Sequence, residues 1–140
     1  MKVIEKRPVR WVLVLGWMSV IFAFSNQAHS GEITGQYLGE FNLVVRKSAH
    51  MTEYAILFCL LKWALLGHVP KKQHISTFFA YLTAVLYAAS DEWHQQFVPG
   101  RSSSWEDVFV DTIGVNFGWI FWYYFLVLRS FWSSTRKPSD

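Results

Sequence analysis

Four long apolar blocks constrain this sequence more than any other feature. They cover residues 9–24, 49–69, 75–90 and 108–128. Each is about as long as the ~17–25 residues with which a helix crosses the hydrocarbon of a bilayer. A chain inside lipid must satisfy its backbone hydrogen bonds internally, which favours helices over open strands. With 52% hydrophobic residues, the chain is also more apolar than an ordinary soluble domain.

The blocks predict an all-α fold, a four-helix transmembrane bundle that forms one domain over residues 1–140. Its helices are expected at residues 9–25, 48–69, 75–92 and 106–128. The first block follows Lys2, Lys6, Arg7 and Arg10, as in a signal peptide, but SNQAHS offers only a weak cleavage site. We therefore expect a retained membrane anchor. The single cysteine, Cys59, cannot form an internal disulfide.

Basic residues are sorted by side. Of the thirteen lysines and arginines, nine lie at the two termini or at the connection between the second and third blocks, and the other four are Arg46, Lys47, Lys62 and Arg101. Lys62, inside the second block, is expected to extend its ammonium toward that same side. Positive residues stay in the cytoplasm, which predicts a multi-pass protein of the cell membrane with both termini cytoplasmic.

Most acidic residues lie on the opposite, extracytoplasmic side. ATP and cytosolic metabolites are therefore poor candidates as substrates. The sequence has no nucleic-acid signature, because the net charge of +3 follows from membrane topology.

The two extracytoplasmic connections carry local structure signals. Residues 25–47 hold apolar side chains at roughly helical spacing, which leaves open a short amphipathic helix in the membrane interface or an ordered loop. In the second connection, Pro99-Gly100 predicts a turn. Ser103 or Ser104 is expected to cap the last helix, and Ser104 with Asp107 resembles a capping box.

Polar side chains cluster at the extracytoplasmic ends of three helices, where ionisable groups are costly and need a reason. Antiparallel connections bring these ends together, so the sequence predicts a shared pocket at the outer leaflet. The positions are Lys47, His50, Glu53 and Tyr54 on the second helix, Asp91, Glu92, His94 and Gln95 on the third, Arg101 in the connection, and Asp107 and Asp111 on the last. Gly114 and Gly118 continue the face of Asp111 and predict close helix packing.

A structural explanation stays open for each part of the pocket. His50 and Glu53 could form a hydrogen-bonded pair that holds two helices. Asp107 could only cap the last helix, where its charge also suits the helix dipole. Asp111 lies one turn deeper, so its structural alternative is an ion pair with a neighbouring cation.

The motifs of this region resemble the VanZ-like family of small bacterial integral membrane proteins. The likeness spans roughly residues 10–125. It is carried by FSNQ (24–27), RKSAHMTEYAILFCLL (46–61) and YAASDEWHQQFVPGRSSSWEDVFVDTIGVNFG (87–118). The family pattern falls on Lys47, His50, Glu53, Tyr54, Asp91, Glu92, Gln95, Gly100, Arg101, Asp107, Asp111 and Gly114. His94 is the site position that the pattern requires least.

The resemblance implies a cell-envelope protein. The family's namesake is associated with low-level resistance to the glycopeptide antibiotic teicoplanin, and the family name brings no established reaction. What it adds is a location, the outer leaflet, where lipid-linked wall precursors and the antibiotic meet.

Two functions remain open at this point, besides a less favoured transporter. The first is binding or modulating a lipid-linked wall component or a glycopeptide. The alternative is a membrane-embedded hydrolase or transferase acting on a lipid-linked substrate, in which Arg101 and Lys47 would hold a phosphate or other anion. Its candidate catalytic residues, which could also hold a divalent metal, are His50, Glu53, Asp91, Glu92 and Asp111. Lys47, Tyr54, His94, Gln95, Arg101 and Asp107 are the candidate substrate-binding residues.

Overall fold

The computed structural model describes residues 7–66, 72–101 and 103–135, and these ranges contain helices and no strand. The all-α prediction is therefore confirmed. Four long helices are joined by one short helix and one 3-10 turn. In chain order the elements are α1 (Arg7–Ser25), α2 (Ser30–Leu38), a 3-10 turn (Gly39–Phe41), α3 (Asn42–Leu66), α4 (Gln73–Gln95) and α5 (Trp105–Thr135).

The helices run further than their apolar blocks. Helix α3 begins at Asn42 rather than at residue 48, α4 continues to Gln95, and α5 continues to Thr135. An apolar block marks the part of a helix that suits lipid, whereas backbone hydrogen bonding continues into polar residues. The expected end of the second helix, at residue 69, lies outside the described residues.

A short helix, α2, forms in the first connection, where the sequence left a helix or an ordered loop open. It starts after His29, whose backbone N–H donates to the Pro99 carbonyl at 3.1 Å. Gly100 has a φ of +73°, and a β-carbon there would lie 2.5 Å from His29 Nδ1. Glycine is therefore needed at the turn that joins the two connections.

Helix α3 lies at the centre of the bundle and packs against α1, α4 and α5. Its buried side chains include Tyr54, Leu57, Phe58 and Leu61. Helix α4 contributes a buried stripe of small residues, Ala80, Ala84 and Ala88. Small residues at this spacing let neighbouring helices approach closely, as in membrane bundles.

Helices α3 and α5 approach each other closely at the two predicted packing glycines. A β-carbon at Gly114 would lie 2.7 Å from Met51 Cα, and one at Gly118 would lie 2.5 Å from the Ala55 carbonyl oxygen. No side chain fits at either distance. The packing role predicted for this pair is confirmed.

The start of α1 meets the C-terminal part of α3 at the end of the bundle away from the acidic residues. The Arg10 guanidinium donates to the Trp63 carbonyl at 2.9 Å and lies 4.7 Å from the centre of the Trp63 ring. Lys62 is 2% exposed, and its ammonium donates to the Gln73 carbonyl and the Ser76 hydroxyl. The positive charge of Lys62 therefore lies at the start of α4.

Two segments of the described chain are long and apolar enough to cross a membrane, Arg7–Ser25 and the run Ser30–Leu66. Large apolar side chains are also exposed on all four long helices, among them Leu13, Val44, Phe79 and Phe121. A soluble monomer rarely exposes that much apolar surface.

The α3–α5 contact yields a matched pair of variants. Gly114→Ala forces a β-carbon into the Met51 backbone, and such overpacking costs about 1–3 kcal/mol. Gly16→Ala is the control, because apart from its chain neighbours and the backbone of its own helix no atom lies within 4 Å of a β-carbon there. Thermal unfolding in detergent should show a lower midpoint for Gly114→Ala and an unchanged or higher one for Gly16→Ala. Equal midpoints would contradict the close approach.

Candidate functional site

A cavity of about 60 Å³ lies where α3 begins, α4 ends and α5 begins. Seven of the residues predicted from the sequence line it, together with Arg46 and two apolar side chains. The lining residues are Leu43, Arg46, Lys47, His50, Glu92, Gln95, Arg101, Asp107, Val110 and Asp111. The predicted convergence of three helix ends on one pocket is thus found in the structure.

The carboxylates of Glu92 and Asp111 and the imidazole of His50 line one part of the cavity, which we call its acidic floor. Glu92 is 4% exposed and Asp111 is 1% exposed. His50 Nδ1 lies 3.6 Å from Asp111 Oδ1 and 4.0 Å from Glu53 Oε2. His50 Nδ1, Glu92 Oε2 and Asp111 Oδ2 are buried without a hydrogen-bond partner. Unpartnered buried polar atoms of this kind are costly and call for an explanation.

Asp91 lies beside the cavity in a hydrogen-bond network that links α1 to α4. Its Oδ2 accepts hydrogen bonds from the Ser25 hydroxyl at 2.6 Å and from Gln95 Nε2 at 3.0 Å. Arg101 extends the network, because it donates to Gln95 Oε1 at 3.1 Å and to the Phe24 carbonyl. Ser25 was missed as a site residue, although the FSNQ motif that contains it gave a signal.

Three cations surround the acidic floor. Lys47 pairs with Asp107 at 3.5 Å. Burial and the nearby Arg46 guanidinium lower the pKa of Arg101 below its usual value. The two guanidinium groups therefore repel each other, and an anion between them would relieve that repulsion.

The cap of α5 is the predicted one. The Ser104 hydroxyl accepts a hydrogen bond from the Asp107 backbone N–H at 3.3 Å and donates to Asp107 Oδ2 at 2.9 Å. Ser103 instead donates to the Glu92 carbonyl at 2.6 Å, at the end of α4. Asp107 both takes part in this cap and faces Lys47 in the cavity.

Some predicted positions lie outside the cavity lining. Tyr54 is fully buried, its hydroxyl has no hydrogen-bond partner, and its ring packs near Tyr87. His94 faces α1, where its ring packs on Phe22 and its Nε2 lies 3.3 Å from Asn26 Oδ1. The structure therefore does not bring His94 to the site with the other candidates.

The family model of VanZ/LLP1 matches residues 10–129, which is most of the chain. The chain belongs to the VanZ/LLP1 family. Neither a curated protein nor a solved structure matches this sequence. Together with the two apolar segments, family membership supports a location in the membrane.

Within this VanZ/LLP1 protein, one group of described residues could hold a metal ion. His50, Glu92 and Asp111 each offer a ligand atom, and these atoms lie within 4.8 Å of one another. Of the other two candidates, Asp91 has its Oδ2 engaged in two hydrogen bonds. Glu53 is outside the group, although its carboxylate lies near His50.

Proposed function

We propose that this protein is a multi-pass protein of the bacterial cell membrane, with the cavity at the extracytoplasmic face and both termini in the cytoplasm. The positive-inside rule supports this orientation. The grouping of the helix ends is consistent with this orientation. Two of the basic residues assigned to the cytoplasmic side, Arg10 and Arg129, line one groove with Trp63, near the start of α1 and the C-terminal half of α5. The acidic cavity lies at the other end of the helices.

The ligand we propose is the anionic headgroup of a lipid-linked envelope molecule. The observation that carries this proposal is the set of Arg46, Lys47 and Arg101 around one small cavity. Arginine presents a planar fork of N–H groups that matches phosphate oxygens, and lysine adds a point charge. Such a set favours a phosphate-like group over a neutral sugar or peptide.

The size of the cavity further limits which ligands can fit. A single water needs roughly 10–15 Å³ of such a cavity, so about 60 Å³ holds only an ion or a group of phosphate size. A glycopeptide antibiotic could not enter. Leu43 at the cavity and Val44 beside it are 61% and 62% exposed, which suits an amphiphile whose apolar tail stays in the bilayer. A contribution to glycopeptide resistance would thus act through the wall precursor.

A second candidate is a hydrolase or transferase acting on the same class of lipid. It is favoured by one contact, because the Glu53 carboxylate lies 4.0 Å from His50, which also faces Asp111. A carboxylate next to an imidazole can move a proton during attack on a phosphate. Released phosphate from a polyprenyl diphosphate, absent in Glu53→Gln, would favour this candidate over a binding protein.

Orientation can be tested with single cysteines, because Cys59 is the only native one. In a Cys59→Ser background, Glu40→Cys and Lys72→Cys place a thiol at an exposed position on either side. A membrane-impermeant maleimide should label Glu40→Cys on intact cells and Lys72→Cys only after lysis. The reverse pattern would place the cavity on the cytoplasmic side.

Headgroup binding can be measured in nanodiscs of neutral lipid with a polyprenyl phosphate and the matching polyprenol. We expect saturable binding of the phosphate and none of the alcohol. Arg101→Gln and Lys47→Gln should each weaken phosphate binding by about tenfold or more, since a hydrogen bond to a charged group contributes about 1.5–3 kcal/mol. Arg129→Gln is the control, because this exposed arginine lies on the C-terminal part of α5.

The proposal is wrong if phosphate and alcohol bind equally well. It is also wrong if the two cavity variants bind the phosphate as tightly as Arg129→Gln does.

A further inference from the structure

No lysine or arginine of the described ranges forms an ion pair with the two buried carboxylates of the acidic floor. Within the described ranges, Lys47 pairs with Asp107, and Arg101 donates to an amide and a backbone carbonyl. Neither Glu92 nor Asp111 has a lysine or arginine partner among those residues. A buried, charged carboxylate is strongly disfavoured unless it is paired, coordinates a metal or takes up a proton.

Three of the buried atoms without a hydrogen-bond partner come from three different helices, on residues that line one cavity. They are His50 Nδ1 on α3, Glu92 Oε2 on α4 and Asp111 Oδ2 on α5. All three residues line the same cavity. If these side chains only held the helices together by a hydrogen bond, His50 Nδ1 would donate to one of the two carboxylates, yet it has no hydrogen-bond partner.

We propose that His50, Glu92 and Asp111 bind a divalent transition-metal ion. Their ligand atoms lie within 4.8 Å of one another, and His50 Nδ1 is 3.6 Å from Asp111 Oδ1. A tetrahedral ion with ligands at about 2.1 Å holds them about 3.4 Å apart. The imidazole and Asp111 therefore already stand at that spacing, and small side-chain movements complete the set.

The donor set indicates which ions fit. One imidazole with two carboxylates suits Zn²⁺, Mn²⁺ or Fe²⁺, whereas Ca²⁺ and Mg²⁺ prefer oxygen ligands alone. Three protein ligands leave a coordination position open, as in zinc sites that take a water or a substrate in the fourth position. That position would face the space shared with Arg46 and Arg101, where an anion can bind both the ion and the guanidinium groups.

This metal site is an inference about the chain itself and does not require that a lipid binds. The site would add to the proposed function in one respect. The positive charge of the ion would offset the acidic residues, so that a phosphate-like headgroup could bind beside them. The two proposals can therefore fail separately.

The test uses the full chain in detergent, stripped with a chelator and titrated with Zn²⁺ and with Mn²⁺. We expect one ion per chain for at least one of the two metals, together with an increase in the thermal unfolding midpoint. His50→Gln, Glu92→Gln and Asp111→Asn should each weaken binding tenfold or more. Glu106→Gln is the matched control, because it removes one negative charge from an exposed position next to Asp107.

X-ray absorption of the loaded wild-type protein gives a second readout that does not depend on the variants. It should show nitrogen and oxygen ligands with one imidazole and no sulfur. The proposal is overturned if the wild-type protein binds neither metal stoichiometrically, if the spectrum shows no imidazole, or if folded Asp111→Asn binds as tightly as Glu106→Gln. Headgroup binding by wild-type protein that binds neither metal would leave the proposed function standing and overturn the metal site alone.

Discussion

The burial of several carboxylates at one end of an apolar bundle is the constraint on which the rest of this structure depends. Removing such groups from water is costly, so each must find a donor or an opposite charge. Asp91 accepts hydrogen bonds from Ser25 and Gln95, and Asp107 forms an ion pair with Lys47. Glu92 and Asp111 find no lysine or arginine among the described residues. We infer that a bound ligand supplies the positive charge that these two carboxylates lack.

Helix packing sets the geometry of that cluster. Gly114 lets α5 approach the α3 backbone at Met51, the residue next to His50. Asp111 lies about one helical turn before Gly114, so the same contact holds its carboxylate 3.6 Å from the imidazole. The turn at Gly100 ties α4 to the start of α2 and positions Arg101 beside Gln95. The packing of the helices thus determines where the polar side chains of the cavity lie.

Much of this arrangement follows from the sequence. The apolar blocks predicted the four long helices, the Ser104–Asp107 pair predicted the cap, and the polar helix ends predicted a shared cavity. Sequence spacing could not give the rotation of each helix. His94 and Gln95 both follow Asp91 within one turn, yet Gln95 is buried beside Asp91 and His94 faces α1. That difference depends on where α1 packs, which no local pattern encodes.

The central claim is that acidic and basic side chains from separate helices meet at one end of the bundle. A double-mutant cycle with His50→Ala and Asp111→Ala, read by unfolding of the detergent-solubilised protein, tests it most directly. Side chains in contact should show a coupling free energy of about 0.5–3 kcal/mol. Effects that add to within about 0.3–0.5 kcal/mol, as for distant sites, would contradict the claim.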